Sequence, residues 1–300
     1  MDAIHIKTPL IESLAIGKDL PGRVWLKMEA LQPSGSFKLR GIGFACRRYA
    51  EDGATAFVSS SGGNAGLAVA HAGRRLGVPV TVVVPESTTE RAKELIAAEG
   101  AQVKVIGRDW AAAHAHALEL AGDRVAYVHP FDDPLIWEGH ATLIDEVADS
   151  GVVPDAVVLS VGGGGLLCGV VEGLRRQGWG HVPVIAVETA GADSLAQSLA
   201  AGEPVELDAI TSVATSLGAR RVADRTYELA QEHPVESRVV SDRAAIEACH
   251  RLLREHRLLT EPACGAAIAA VEQGGEPLSA CGQILVIVCG GVGVDLDRRS

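Results

Sequence analysis

Short runs of β-branched residues alternate with longer Ala/Leu/Glu/Arg stretches along nearly the whole of this chain, and that rhythm leaves it few folds. A short apolar strand followed by an amphipathic helix is the repeating unit of a mostly parallel sheet covered by helices, so the pattern places the chain in the α/β class. Buried strands are predicted over 56–59, 80–84, 103–106, 125–128, 156–160, 184–188 and 284–288, with a further strand-like run over 24–29. Helices are predicted over 37–50, 64–76, 88–99, 110–121, 136–149, 166–177, 226–232, 242–256 and 262–272. Two prolines bracket an acidic turn at Pro130-Phe131-Asp132-Asp133-Pro134, the clearest boundary signal in the chain. Dividing there, with a second crossing near Lys38, gives a larger domain of residues 1–38 and 133–300 and a smaller one of 39–132.

Composition narrows the partners. Three hundred residues with 47% hydrophobic content suffice for a large core. A net charge of -11 with no basic run argues against nucleic acid or an anionic membrane, so an anionic ligand must be held by local dipoles. Met1 to Leu20 lacks the apolar run of a signal peptide, and no stretch approaches a transmembrane span. The six cysteines are scattered without a CxxC pair or zinc spacing, which points to reduced thiols and a cytoplasmic protein. The few residues after Asp295 leave no room for a regulatory domain, so feedback by a distal amino acid is not expected within this polypeptide.

Four segments carry chemistry. Lys38 stands in Gln32-Pro33-Ser34-Gly35-Ser36-Phe37-Lys38-Leu39-Arg40-Gly41, at the start of a predicted helix. A loop lysine is ordinarily a solvated charge. Near a helix N-terminus, however, the dipole and desolvation both disfavour the ammonium form and release the neutral amine that imine formation with a carbonyl compound requires. Ser160-Val161-Gly162-Gly163-Gly164-Gly165-Leu166-Leu167 sets four glycines between a strand and a helix, a loop that can turn consecutive amide hydrogens toward an anion or serve merely as a tight turn. It matches neither the GxGxxG fingerprint nor a P-loop, so a phosphate without a nucleotide suits it better. Ser59-Ser60-Ser61-Gly62-Gly63-Asn64-Ala65-Gly66 offers hydroxyls, amides and Asn64 to a carboxylate or phenolate, or else an ordinary helix cap. Val286-Ile287-Val288-Cys289-Gly290-Gly291 ends a strand in a thiol, which is either packing or a ligand contact. In parallel sheets ligands bind at the carboxyl ends of strands, where Cys289, the glycine run and the serine loop all lie.

Together these motifs resemble the fold type II pyridoxal-phosphate enzymes, most closely the L-serine dehydratases, over nearly the whole chain. Met28-Glu29-Ala30-Leu31-Gln32-Pro33-Ser34-Gly35-Ser36-Phe37-Lys38, Phe131-Asp132-Asp133-Pro134-Leu135-Ile136-Trp137-Glu138-Gly139-His140 and Glu261-Pro262-Ala263-Cys264-Gly265-Ala266-Ala267 are similar to that subfamily in particular. The resemblance implies a tryptophan synthase β-like fold of two three-layer αβα domains, the larger binding pyridoxal 5'-phosphate. It implies that Lys38 carries the cofactor as a Schiff base and acts as general base, that Phe37 packs on the ring, and that Asn64 bonds the 3-hydroxyl. The amides of Gly162, Gly163, Gly164, Gly165 and Leu166 would hold the phosphate, and Cys289 would face the pyridine nitrogen. Ser61, Gly62 and Asn64 would grip the substrate carboxylate, with Ser61 also placed to act on the opposite face. Glu188, Ala192 and Ser194, with the carbonyls of Gly162 and Leu217, match the family's monovalent cation site, an all-oxygen set suited to potassium; Glu188 and Ser194 also suit a capped strand end.

The implied reaction is β-elimination of L-serine to pyruvate and ammonia, and of L-threonine to 2-oxobutanoate and ammonia, by a homodimer. Gly62 stands where the catalytic dehydratases commonly have alanine and a serine dehydratase-like branch has glycine. Val292-Gly293 follow Cys289-Gly290-Gly291 where the family usually continues with Ser or Asn. The rival readings are a serine racemase, a threonine synthase or cysteine synthase, and a non-catalytic sensor of amino acid or cofactor. The serine loop lacks both the Thr-Ser-Gly-Asn-Thr-Gly pattern of the synthases and the Asn-His of the racemases.

Overall fold

The computed structural model describes residues 3–294; the expectation about the chain after Asp295 lies outside them. Numbered in chain order, β1 (Leu10–Glu12) and β2 (Arg23–Lys27) come first, followed by α1 (Lys38–Glu51), β3 (Ala56–Ser59), α2 (Asn64–Leu76), β4 (Val80–Val84), α3 (Glu90–Ala98), β5 (Gln102–Val105), α4 (Trp110–Leu120) and β6 (Val125–Tyr127). Then come α5 (Pro134–Asp149), β7 (Ala156–Ser160), α6 (Gly165–Arg176), β8 (Val184–Thr189), α7 (Ser194–Ala201), α8 (Asp224–Glu232), β9 (Val235–Val240), α9 (Asp242–His256), α10 (Pro262–Gln273) and β10 (Gln283–Ile287). The chain divides into two compact units: Gln32–Gly139 with the residues up to Ile6, and Lys7–Leu31 with the residues from His140 on. Lys38 therefore lies in the first unit, as do 133–139, which the sequence division places with the larger domain.

The first unit holds a four-stranded parallel sheet in the order β5-β4-β3-β6. Val58 and Val83 pack against Ala113 and Ala117 of α4. Val80 and Val82 meet α2 instead, at Gly73 and Gly66, where the missing side chains let helix and strand close up. Successive strand residues point to opposite faces, so α2 and α4 cover opposite faces and this unit has three layers. Phe57, Ile42 and Val82 at its centre are shut off from water, each such burial stabilising by roughly 1.5–3 kcal/mol.

The second unit holds a six-stranded sheet in the order β1-β2-β10-β7-β8-β9, parallel except for β1, which runs antiparallel to β2. Its central strands are apolar on both faces because helices such as α6 and α10 pack on them. Lys27, at the end of β2, is fully buried, so its charge must be met locally. It donates to the Thr8 carbonyl at 2.7 Å and to Glu146 of α5 at 2.5 Å, which ties the entering segment to that helix.

Elements β1, β9 and α7 are absent from the sequence expectation. Strand β1 has only three residues. Strand β9, Val-Glu-Ser-Arg-Val-Val, is a half-exposed edge strand whose middle is polar. Helix α7 is a short Ser/Ala run closed by Gly202. Elsewhere element ends differ by at most a couple of residues, the ordinary uncertainty of frayed termini.

Candidate active site

In the first unit, β3 and its parallel neighbour β6 release their loops at the same sheet edge. The loop after β3 is Ser60 to Gly63. The loop after β6 runs through His129 and Pro130. Lys38 is the first residue of α1, and its amine donates to the Pro130 carbonyl at 2.6 Å, which brings it to that edge. The amine also lies 5.2 Å from the centroid of the Phe37 ring. Phe37 occupies the cap position without a capping side chain, so the first turn of α1 keeps its positive end.

The serine loop is not capped by its own side chains either. Gly63 is the cap residue of α2 and no side chain accepts there; Ser61 Oγ takes only the Gly63 amide at 3.3 Å. The ordinary capping role therefore fails for Ser61, while Asn64 sits buried in the first turn of α2. A Cβ built on Gly62 would lie 2.7 Å from Cγ2 and 2.8 Å from Oγ1 of Thr88. Behind the loop, Ser60 Oγ meets the Tyr127 hydroxyl at 2.8 Å, which in turn meets His114 Nδ1 at 2.9 Å. Trp110 stacks on His114 with centroids 4.6 Å apart. Burial lowers the His114 pKa and raises that of Tyr127, which keeps both neutral. Burial above all, aided by the Lys38 charge and by His114 once that ring is protonated, pushes His129 down to about 4.

In the second unit, β10, β7 and β8 are adjacent and parallel. Their carboxyl ends carry Cys289, the glycine loop and Glu188 respectively. Gly163 O accepts from the Ala223 amide at 3.0 Å and from Thr226 Oγ1 at 3.2 Å. In a trans peptide C=O and N–H point opposite ways, so this anchoring aims the Gly164 N–H away from α8. Gly164 has φ +93°, and a Cβ there would lie 2.0 Å from Thr226 Oγ1. Among the described residues, no protein acceptor takes the amides of Gly162 to Leu166, and the hydroxyl of neighbouring Ser160 is buried without a partner.

Cys289 is buried beside Cys264. Its hydrogen bond with that thiol and its desolvation raise its pKa well above the ordinary value, so it stays protonated. Glu261 is the residue that sequence reasoning missed here. It stands at the cap position just before α10 but its side chain makes no capping bond; its carboxylate takes the Gly293 amide at 3.1 Å and lies against Gly291, whose φ of +123° and absent side chain make room for it. Thr226 likewise carries no signal in the sequence.

Glu188, the penultimate residue of β8, accepts the amides of Leu195 and Ala196, both at 2.8 Å, so it caps α7. Burial nevertheless pushes its pKa up to about 7. Ala192 pairs with Thr189, and Ser194 Oγ is buried with no partner. A Cβ on Gly162 would fall 3.1 Å from both Leu217 Cα and the Ser216 carbonyl, so those two backbones are in contact. No cluster of three His, Cys, Asp or Glu side chains among the described residues could hold a metal, so a cation here would need carbonyl and hydroxyl oxygens beside the single Glu188 carboxylate.

Known proteins share this fold and define the family of the chain. The family model described as "Pyridoxal-phosphate dependent enzyme" matches residues 2–290. The chain belongs to that family, and its mostly parallel αβ units are those of fold type II. It is 48% identical to a human L-serine dehydratase/L-threonine deaminase, covering 98% of this chain and 93% of the relative. It is 50% identical to a mouse serine dehydratase-like protein, covering 97% of this chain and 91% of the relative. Among solved structures, a fungal L-serine ammonia-lyase from Rhizomucor miehei superposes with a TM-score of 0.93 at 38% identity, over 98% of this chain and 96% of that one.

The residues present fit the family's cofactor. A glycine cradle with amides lacking protein acceptors suits a phosphate, a neutral thiol suits an uncharged ring nitrogen, and a lysine at a helix start suits the aldehyde.

Proposed function

We propose that this chain converts L-serine to pyruvate and ammonia, and L-threonine to 2-oxobutanoate and ammonia, with pyridoxal phosphate held by Lys38. The single observation that carries this reading is the placement of the Lys38 amine at the sheet edge from which the Ser61–Asn64 loop emerges. A base for the Cα proton and a grip for the substrate carboxylate then share one edge. Bound pyridoxal phosphate supplies the sink for the electron pair left when that proton departs.

The protein's own part is orientation and proton transfer. Lys38 takes the Cα proton, and the departing β-hydroxyl takes up a proton to leave as water, so that H from Cα and OH from Cβ are lost together as one water. The unsaturated amine so formed hydrolyses to the oxo acid and ammonia. Ser61, the Gly62 backbone and Asn64 hold the substrate carboxylate, and Asn64 also steadies the cofactor's phenolic oxygen. The amides of Gly162 to Leu166 would hold the phosphate, and Phe37 would pack on the ring. The Cys289 thiol, kept protonated, would add no charge to the ring nitrogen it faces, which would favour prompt loss of the hydroxyl over transamination.

Potassium at Glu188, Ala192, Ser194 and the carbonyls of Gly162 and Leu217 belongs to the same proposal; the support is the unpartnered Ser194 hydroxyl beside a carboxyl with a raised pKa. The likeness to the dehydratases supports a homodimer and the scattered, unpaired cysteines support a cytoplasmic location; sedimentation of the purified protein tests the stoichiometry. The decisive experiment is Lys38→Ala. It should abolish both the Schiff-base absorbance and ammonia release from L-serine, and retained turnover would remove the mechanism.

A further inference from the structure

We propose that His129 is a positioning residue for Lys38: its imidazole shapes the turn whose Pro130 carbonyl receives the lysine amine. The inference rests on the reading of Lys38 as the cofactor lysine. His129 Nδ1 accepts the amides of Phe131 at 3.2 Å and of Asp132 at 2.7 Å. A ring nitrogen that takes two N–H groups carries no proton, so the imidazole is neutral with its hydrogen on Nε2.

The Phe131 N–H and the Pro130 C=O belong to one peptide plane. In a trans peptide they point in opposite directions, so the nitrogen that draws the Phe131 N–H toward His129 turns the Pro130 carbonyl the other way, where the Lys38 amine meets it at 2.6 Å. The next peptide is pinned as well, since Trp137 Nε1 donates to the Phe131 carbonyl at 2.8 Å. Asp133 closes the turn by accepting the Leu135 amide at 2.8 Å and the Tyr49 hydroxyl. The His129 ring is itself fixed edge-on to Phe131, with centroids 4.7 Å apart, and to Tyr127 at 6.1 Å.

This arrangement matters whenever the lysine is not bonded to cofactor. A primary amine on a flexible stem has many rotamers, and one carbonyl of fixed direction selects among them. The amine then waits at a set place with its lone pair turned away from its acceptor. Both removal of the Cα proton and reattachment to the cofactor start from that place.

Three proteins test the proposal: the wild type, His129→Ala and His129→Asn, each stripped of cofactor and mixed with pyridoxal phosphate across a pH series. Asparagine can accept amides two and three residues onward through its side-chain oxygen, as in an Asx turn, whereas alanine cannot. His129→Ala should slow the appearance of imine absorbance by about tenfold, and the midpoint of its pH profile should move down because the ammonium form loses an acceptor. Turnover of L-serine should fall by a similar factor with KM within about twofold. His129→Asn should return both rates to within about threefold of wild type. Wild-type kinetics in His129→Ala would overturn the proposal. So would a His129→Asn protein with unchanged melting temperature and a tenfold defect, and this second result decides the matter even if the alanine variant fails to fold. Should the wild type form no imine at all, it is the assignment of Lys38 that fails.

Discussion

The two strand-to-helix loops of this molecule solve one problem in opposite ways. Ser60 to Asn64 in the first unit and Gly162 to Gly165 in the second both leave a parallel strand at its carboxyl end and both start a helix without a capping side chain. The serine loop is held from behind by side chains, with Ser60 tied to Tyr127 and His114, and presents side-chain groups. The glycine loop is held by its backbone, with the Gly163 carbonyl fixed by Ala223 and Thr226, and presents amides. Hydroxyls and an amide side chain suit a small carboxylate whose identity must be read. Backbone amides on a rigid frame suit a phosphate that is always the same. The glycine loop should therefore fail abruptly when altered, and the serine loop by degrees.

Gly164→Ala is the strongest test of that contrast. The new methyl carbon would lie 2.0 Å from Thr226 Oγ1 while the backbone stays at φ +93°. Left-handed backbone alone costs a non-glycine residue about 1–2 kcal/mol. With the clash added, affinity for pyridoxal phosphate should fall more than about a hundredfold, or about 2.7 kcal/mol, measurable by titrating the apoprotein. Affinity within a few fold of wild type would break the comparison. Ser61→Ala comes next. Losing a hydrogen bond to a charged carboxylate costs about 1.5–3 kcal/mol, so KM for L-serine should rise at least tenfold while cofactor affinity holds. Equal losses in both constants would mean that the loop positions the cofactor rather than the substrate.

Gly62→Ala should do less. The added carbon meets Thr88 at 2.7 Å, but Thr88 is a side chain on a half-exposed turn and can rotate away. A loss of about two- to fivefold in kcat/KM, or under about 1 kcal/mol, is expected. Adding Thr88→Ser, which removes the methyl, should recover most of it; strict additivity of the two substitutions would show that the contact is irrelevant.

The same contrast explains what could be read from the sequence. Alternation of apolar strands and amphipathic helices is local, so most elements were legible, and so were both loops as strand-to-helix turns. Edge strand β9 escaped because its middle residues are Glu-Ser-Arg and only pairing with β8 makes it a strand. The anchors of the glycine loop escaped for a different reason. Thr226 lies 63 residues beyond the carbonyl it bonds, and a threonine at a helix start looks like any other first-turn residue. Glu261 opens a segment that resembles the dehydratases, yet its packing against Gly291 comes only with the fold. His129 was within reach, since its two amide donors are two and three residues away, but histidine is not the usual residue for such a turn.

The smallest expected effect concerns the third strand end, where Glu188 spends both carboxylate oxygens on helix amides. Its folded pKa, about 7, lies above the ordinary value of 4.5 because burial outweighs those two bonds. The folded protein thus binds more protons than the unfolded chain between those values. The contribution of Glu188 to stability is complete below about pH 4.5 and is lost as pH rises through about 7. A bound potassium ion would reverse that loss, since it favours the ionised carboxylate and competes with the proton. Melting temperature should therefore rise by a few degrees when potassium replaces tetramethylammonium at equal ionic strength and pH 8, and by less at pH 6. Glu188→Gln should remove the pH dependence of that difference. An equal gain at both pH values in the wild type would place any potassium effect elsewhere and leave Glu188 as a helix cap alone.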